Sequence, residues 1–356
     1  MRRSIRVRWR VARGMQSNLF DSRAWKSVGA LCVLRDARGG RRESSEGKRY
    51  LMGKSDQRVV ATVFCATDFS ETADLAIRHA SSLARRHEAR LVLGHIVEPL
   101  PADPYPMPVA LSENERNIQQ LAFERLADRA ASIEESGIQI DTRLDRGPCG
   151  PLIVERAVKE EADLIVVGTR GLTGFKHLVF GSTAEYVVRR AACPVLTVHP
   201  NDREPTDSFR EVILPTDLSP GADVAAEALL ALYSDVAPPR VLLAFADSSP
   251  PYLEAIQHEQ LAQWNQPDVR RQELEQRLEP MAQRLRAQGF EVETRVLDGG
   301  AVEAITELAQ ERGSDLIMLS THGRSALMNA LLGRTAQRIV QHACCPVLTV
   351  RPPHRG

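Results

Sequence analysis

Hydrophobic and polar positions along the chain predict strands and helices in alternation. Residues 59–66 form a short apolar run, and beyond Ser70 the apolar residues recur every three or four positions, as on the buried face of an amphipathic helix. Ser70 itself stands where the N-cap of that helix belongs. Further strands are predicted at 89–97, 138–144, 163–168 and 194–200, and further helices at 112–136, 150–161 and 181–191. The pattern is therefore five strands separated by four helices.

The second half of the chain repeats the pattern of the first. The residues around Asp68 return around Asp217, at an offset of 149 residues, and the hexapeptide CPVLTV at 193–198 returns unaltered at 345–350. The segment ADLIVVGTRG returns as SDLIMLSTHG at an offset of 152 residues, which is also the offset of the hexapeptide. Three landmarks in one order indicate a tandem duplication. We predict an extension at 1–57, a first domain at 58–202 and a second domain at 208–352.

The order of elements predicts the fold class. Apolar strands separated by helices imply a parallel sheet covered on both faces, and right-handed crossovers then give a doubly wound α/β sandwich. Such sheets bind ligands beyond the carboxyl ends of their strands. The two CPVLTV segments could each be only a buried strand. We favour their antiparallel pairing across a pseudo-two-fold axis, so that one polypeptide imitates a dimer.

Glycines and hydroxyl residues follow the fourth predicted strand of the first half. The strand ends at Gly168, and its loop leads through Gly171 to Gly181 and the hydroxyls of Ser182 and Thr183 at the next helix start. Glycine permits positive φ and close backbone approach, and a helix N-terminus favours an anion. An acidic side chain on the neighbouring strand could accept hydrogen bonds from ribose hydroxyls. This combination predicts a nucleotide cradle without a Walker lysine.

The glycine spacing resembles that of the universal stress protein family, whose nucleotide-binding members carry Gly-x2-Gly-x9-Gly-Ser/Thr. The resemblance covers about residues 58–352. It implies two Rossmann-like, adenine nucleotide alpha hydrolase-like sandwiches with strand order 3-2-1-4-5, pairing through the last strand, and ATP, with or without Mg²⁺, in the crevice. It also implies that Asp68 and Val97 face the adenosine. The predicted ligand contacts of the first half are Asp68, Val97, Gly168, Arg170, Gly171, Gly181, Ser182 and Thr183.

The second half departs from this motif. Ser320 replaces the first glycine and Arg334 takes the Ser/Thr position, where its guanidinium could meet a phosphate or its bulk could fill the cradle. Ala246 or Asp247 lies near the point that corresponds to Val97. We therefore expect a weaker second site, with the remaining candidate contacts Asp217, Gly323, Gly333 and Thr335.

The first helix of each half is predicted to start in the same way. Ser70 caps it in the first half, and Ser219 followed by Pro220 is the same device in the second half, because proline is favoured at the first helical position. The aspartates before these caps could serve only to close the turn through Asx-type hydrogen bonds. For Asp68 we favour ligand contact, and for Asp217 the two interpretations have equal support.

Composition and charge narrow the possible partners. Residues 1–57 contain 12 Arg and 3 Lys against 3 Asp and 2 Glu, a net charge of +10, so the other 299 residues carry −10. An acidic body argues against a nucleic-acid partner. The basic extension could bind nucleic acid or anionic surfaces, but we favour a disordered extension, or sequence upstream of a start at Met52. No apolar stretch reaches the ~18 residues of a membrane span, so we expect no membrane partner.

The cysteines favour a reducing compartment. The chain has six, none in a CxxC or Cys/His ligand spacing, so we expect reduced thiols, a cytoplasmic location and no metal site. They are Cys32, Cys65, Cys149, Cys193, Cys344 and Cys345.

Three functions are compatible with the sequence. The first is a stress-response regulator that binds ATP and, as a result, associates with an unknown protein partner or with a second copy of itself. The second is a slow ATPase, which needs a metal site and a base that positions water. The third is a nucleotide-free scaffold. We favour binding without catalysis and predict no catalytic residue, because no P-loop and no acidic pair at the strand ends is present. His95, inside an apolar strand, is interpreted as a core histidine.

Overall fold

The structure, a computed structural model, describes residues 60–99, 110–171, 180–219, 222–234, 236–248, 267–321 and 332–351. The predicted extension at 1–57 lies outside the described residues, as do Pro220 and Gly323. The strands of the first half are β1 (Thr62–Ala66), β2 (Arg90–Val97), β3 (Ile140–Arg146), β4 (Leu164–Gly168) and β5 (Val195–Val198). Its helices are α1 (Glu71–Arg86), α2 (Ala110–Glu134), α3 (Cys149–Lys159) and α4 (Ser182–Arg190).

The second half contains the same series. Its strands are β6 (Glu211–Pro215), β7 (Arg240–Asp247), β8 (Glu291–Asp298), β9 (Leu316–Ser320) and β10 (Val347–Val350). Its helices are α5 (Asp223–Leu232), α6 (Pro267–Arg286), α7 (Ala301–Arg312) and α8 (Arg334–His342).

One sheet contains all of these strands. Their order is β3-β2-β1-β4-β5-β10-β9-β6-β7-β8, so each half has the predicted order 3-2-1-4-5. Neighbours within each half are parallel, and β5 pairs with β10 antiparallel, with Leu196 opposite Leu348. The predicted α/β fold class and the favoured pairing of the two CPVLTV segments are both confirmed.

Helices cover both faces of the sheet. Side chains of α1, α2, α5 and α6 pack on one face, and those of α3, α4, α7 and α8 pack on the other. Successive residues of β1 enter opposite cores: Val63 and Cys65 lie on the first face and Phe64 on the second, all with no exposed surface. This burial on both sides explains why the strands are continuous apolar runs.

The start of α5 differs from the prediction. The helix begins at Asp223, after Ala222, and no side chain caps it, so the predicted N-cap role of Ser219 is wrong. In the first half Ser70 does cap α1, and its side chain accepts a hydrogen bond from the Ala73 amide. In the sequence, Pro220-Gly221 follows Ser219 where Glu71-Thr72 follows Ser70, and a proline–glycine pair is a turn signal.

Hydrogen bonds from side chains join the two halves at the centre of the sheet. The Thr197 hydroxyl donates to the Val347 carbonyl at 3.1 Å, and the Thr349 hydroxyl donates to the Val195 carbonyl at 3.2 Å. These residues are equivalent in the duplication, so the two bonds are related by the pseudo-two-fold axis. Each half thus satisfies buried polar groups of the other.

His199 adds a second link between the halves. Its Nε2 lies 2.6 Å from the Val340 carbonyl on α8, and its Nδ1 lies 3.2 Å from the Asp202 carboxylate. Both ring nitrogens face acceptors, which only the protonated imidazolium can satisfy together. Burial lowers the pKa of His199, but the hydrogen bond and charge of Asp202 outweigh this, so the pKa is raised. Cys344 also faces this site.

We expect the contribution of His199 to stability to depend on pH. A raised folded-state pKa contributes stability that is fully present below the unfolded pKa of about 6.5 and is lost as pH rises through the folded pKa. His199→Gln should therefore lower the free energy of unfolding more at about pH 5.5 than at about pH 9, as measured by urea denaturation.

His79 provides the matched control. Its pKa is lowered, first by burial, and its Nε2 bonds the Arg203 carbonyl. His79→Gln should therefore show the opposite trend, with the larger loss at high pH. An equal loss at both pH values for His199→Gln would contradict the proposed imidazolium.

Candidate nucleotide-binding site

The turn after β1 places Asp68 in a fixed position. The Thr67 hydroxyl accepts a hydrogen bond from the Phe69 amide at 3.1 Å, and the Asp68 carboxylate accepts one from the Ser70 amide at 3.0 Å. Phe69 has φ of 65°, a left-handed conformation that is unfavourable for a bulky side chain. The side-chain bonds on both sides of Phe69 hold this strained residue. Asp68 therefore does form the Asx-type bond considered above, which leaves its second oxygen to other contacts.

At that second oxygen, the turn after β1 lies next to the loop after β4. A Cβ atom added to Gly171 would lie 2.4 Å from Asp68 Oδ2, so the half-buried carboxylate rests directly against the glycine. No other residue type fits at this position without moving Asp68. The predicted juxtaposition of the first strand end and the glycine loop is present in the structure.

The other two glycines also lie close to neighbouring atoms. A Cβ atom at Gly168 would lie 3.1 Å from the Thr72 methyl group and 3.3 Å from its backbone, and one at Gly181 would lie 3.1 Å from the Thr169 carbonyl oxygen. None of the three motif glycines has positive φ. Of the two properties that glycine offers, close approach is therefore the one that these positions use.

The N-terminus of α4 is the anion-favouring part of the site. Gly181 is the N-cap, its amide donates to the Thr169 carbonyl at 2.8 Å, and no side chain caps the helix. Ser182 is exposed and Thr183 is half-buried. Amides in a first helical turn have no partner within the helix, and the helix dipole adds positive potential there. Such a terminus can bind a phosphate.

The two remaining predicted contacts lie at separate points of this region. Arg170 is half-buried, and within the described part of the chain its Nε atom is buried without a hydrogen-bond partner. Val97 is the last residue of β2, is half-buried, and accepts a hydrogen bond from the Gly147 amide at 3.1 Å. Their contact with a ligand stays a prediction.

His95 is a residue of this region that the sequence analysis assigns to the core. The structure leaves it half-exposed, with its ring 4.4 Å from the Phe69 ring and its Nδ1 2.7 Å from the Thr67 carbonyl. Burial lowers its pKa, against a smaller opposite effect of the Thr67 bond and the Asp68 charge. In the sequence, His95 stands two residues before Val97 and therefore on the same face of β2. This position is the sequence feature that places His95 in the region of the site.

The second half repeats the turn but changes its surroundings. The Thr216 hydroxyl accepts a hydrogen bond from the Leu218 amide, and the Asp217 carboxylate accepts one from the Ser219 amide, each at 3.0 Å. Leu218 has φ of 59°, as Phe69 has φ of 65° in the first half. Gly333 caps α8 and donates to the Thr321 carbonyl at 3.0 Å. The backbone frame of a site is therefore preserved, and Thr335 follows in the first turn of α8.

Strand register identifies the residue that replaces Val97. Arg90 pairs with the first residue of β1, and Arg240 pairs with the first residue of β6, so Asp247 is the equivalent of Val97. Arg270 donates two hydrogen bonds to the Asp247 carboxylate, at 2.6 and 2.9 Å. In the second half an ion pair thus occupies the place that an apolar side chain has in the first half. The second half also carries Arg334 at the Ser/Thr position of the motif.

Comparisons with known proteins agree with this architecture. The sequence profile of the universal stress protein family matches residues 60–199 and 208–351. A universal stress protein of Mycolicibacterium smegmatis is 27% identical over 82% of this chain and 97% of its own length, and one of Methanocaldococcus jannaschii is 30% identical over 44% and 94%. The crystal structure of a universal stress protein from Archaeoglobus fulgidus covers 83% of this chain and 97% of its own, with a TM-score of 0.57 and 17% identity. The chain belongs to the universal stress protein family.

The described residues contain no cluster of three or more His, Cys, Asp or Glu side chains that could hold a metal ion. Among the helices in these ranges, none is long and apolar enough to cross a membrane.

The contact between Gly171 and Asp68 gives a direct prediction. Gly171→Ala must displace the end of the flexible Asp68 side chain, whose other oxygen accepts a hydrogen bond from the Ser70 amide, so we expect a loss of about 0.5–1.5 kcal/mol in the free energy of unfolding, the net worth of one hydrogen bond. In an Asp68→Ala background the same substitution should cost much less, because the clashing oxygen is gone. Denaturant unfolding of the four proteins in this cycle measures the difference. Equal costs in both backgrounds would show that the contact is not the reason for glycine.

Proposed function

We propose that this protein binds one adenine nucleotide, ATP, in the crevice of its first half and acts in stress response through nucleotide-dependent association. The observation that carries the proposal is the packing of the Asp68 carboxylate against Gly171, since it brings an acceptor for ribose hydroxyls to the glycine loop that leads to α4. The intact glycine motif and membership of the family support the choice of ligand.

Each candidate residue is proposed to contact a different part of the nucleotide. Asp68 would accept hydrogen bonds from the ribose, and Val97 would pack against the adenine. The amides and hydroxyls of Ser182 and Thr183 would bind the phosphates, with the Arg170 guanidinium as a further cation. A nucleotide that binds only the folded state stabilises it, and its differential affinity for two states shifts their populations. The proposed partner is another protein or a second copy, and the proposed location is the cytoplasm.

The second half is proposed to bind nucleotide weakly or not at all. Asp247 and Arg270 form a hydrogen-bonded ion pair where the first half offers Val97. An adenine ring placed there would have to desolvate or separate the two charges, which costs free energy. Arg334 stands where the motif has a small hydroxyl residue. We therefore expect a stoichiometry of one nucleotide per chain.

Isothermal titration of the full chain with ATP tests the proposal. The wild-type protein should bind one equivalent, and Gly181→Val should lower the affinity at least about tenfold, because a branched side chain at the N-cap of α4 would crowd the proposed phosphate site. Gly333→Val is the matched control, since it makes the same change at the N-cap of α8 and should leave ATP affinity unchanged. Phosphate release, measured in parallel, should stay at background.

The contradicting results are specific. No bound ATP, or equal losses of affinity from the two glycine substitutions, would refute the proposed site, and sustained phosphate release would show an enzyme. A universal stress protein similar to part of this chain has been solved in complex with cAMP, so cAMP is included as a competitor. Displacement of ATP by cAMP would widen the ligand class but keep the site.

A further inference from the structure

The His95 ring contacts the turn that carries Asp68 in two ways. Its Nδ1 lies 2.7 Å from the Thr67 carbonyl, and because a carbonyl can only accept, Nδ1 carries the hydrogen. Its ring lies against the Phe69 ring, with centroids 4.4 Å apart and planes tilted by 35°. Thr67 and Phe69 are the two neighbours of Asp68, so His95 touches the turn on both sides of the carboxylate residue.

The turn needs such support because it is strained. A residue other than glycine in the left-handed region costs about 1–2 kcal/mol, and Phe69 has φ of 65°. Strained residues persist only where the surroundings hold them in place. A hydrogen bond to one neighbour and a ring packed on the strained residue itself provide this constraint.

The second half provides an internal comparison. The backbone link between strand and turn is common to both halves, from the Thr67 amide to the Gly94 carbonyl at 2.8 Å and from the Thr216 amide to the Ala244 carbonyl at 2.9 Å. By strand register the equivalent of His95 is Phe245. Phenylalanine has no donor, so the hydrogen bond from Nδ1 is an addition in the half that carries the intact glycine motif.

We infer that His95 is a positioning residue, which holds the Thr67–Phe69 turn so that Asp68 is ready to bind the nucleotide. The inference rests on the proposed function. Apart from Asp68, the charged group that faces the imidazole is Arg125 on α2, whose cation favours the neutral ring. A neutral ring with hydrogen on Nδ1 makes the bond to Thr67 without placing a second charge beside the carboxylate.

The test measures ATP affinity of full-length variants by isothermal titration. His95→Phe, which makes the first half like the second, should weaken ATP binding about tenfold, because a turn that is competent for only about a tenth of the time lowers the apparent affinity by that factor. His95→Asn keeps an amide donor close to the position of Nδ1 and should remain within about threefold of wild type. Phe245→Leu is the control in the second half and should leave the affinity unchanged.

A double-mutant cycle separates positioning from a general loss of stability. In an Asp68→Ala background, His95→Phe should have almost no further effect on ATP affinity, because the group that it positions is missing. Thermal unfolding shows whether each variant is folded at the assay temperature. If His95→Phe is unfolded there, His95→Gln, whose amide lies at the position of Nε2, takes its place in the cycle.

The outcomes distinguish this inference from the proposed function. ATP binding by wild type with an unchanged affinity in folded His95→Phe would overturn the positioning role alone. Additive effects of the two substitutions would also overturn it. Absence of ATP binding by the wild-type protein would overturn the proposed function and, with it, the role of His95.

Discussion

The antiparallel pairing of β5 with β10 is the interaction on which the rest of the structure depends. Each half is a parallel five-stranded sheet whose last strand would otherwise present an edge of unpaired amides and carbonyls, and the pairing uses both edges at once. The reciprocal bonds of Thr197 and Thr349 fix its register. Because strands are parallel within each half and antiparallel between them, the carboxyl ends of the two halves lie at opposite ends of the sheet. The two crevices are therefore separate, and one can change without the other.

The two halves share the frame of the crevice but differ in the residues around it. Both keep the same turn after the first strand, including a left-handed residue at Phe69 or Leu218. Around that frame the first half keeps an apolar side chain at Val97, whereas the second has the Asp247–Arg270 ion pair. The pairing also occupies the β5 edge within one chain, so association with a second copy would have to use another surface.

Much of the fold could be predicted from the sequence, because it follows from long-range regularities. The alternation of apolar runs with amphipathic helices predicted doubly wound parallel sheets, the family resemblance implied their strand order, and two identical final strands indicated the seam. Contacts between distant residues were harder to predict. The glycine motif indicated the loop, but the reasons for it are Asp68 Oδ2 beside Gly171 and Thr72 beside Gly168, and these depend on tertiary packing. Ser219 resembles Ser70 in sequence, yet α5 begins only at Asp223. His95 lies in an apolar run, and only the structure shows that Phe69 turns towards it.

Photo-crosslinking with an azido-adenine analogue of ATP tests the central claim, that the two halves share a frame but only the first holds nucleotide. The full chain is labelled, digested and mapped by mass spectrometry, with excess ATP as competitor. The account predicts label in peptides from residues 60–199 that disappears with ATP. Label of equal strength in peptides from residues 208–351, or label that ATP does not compete away, would contradict it.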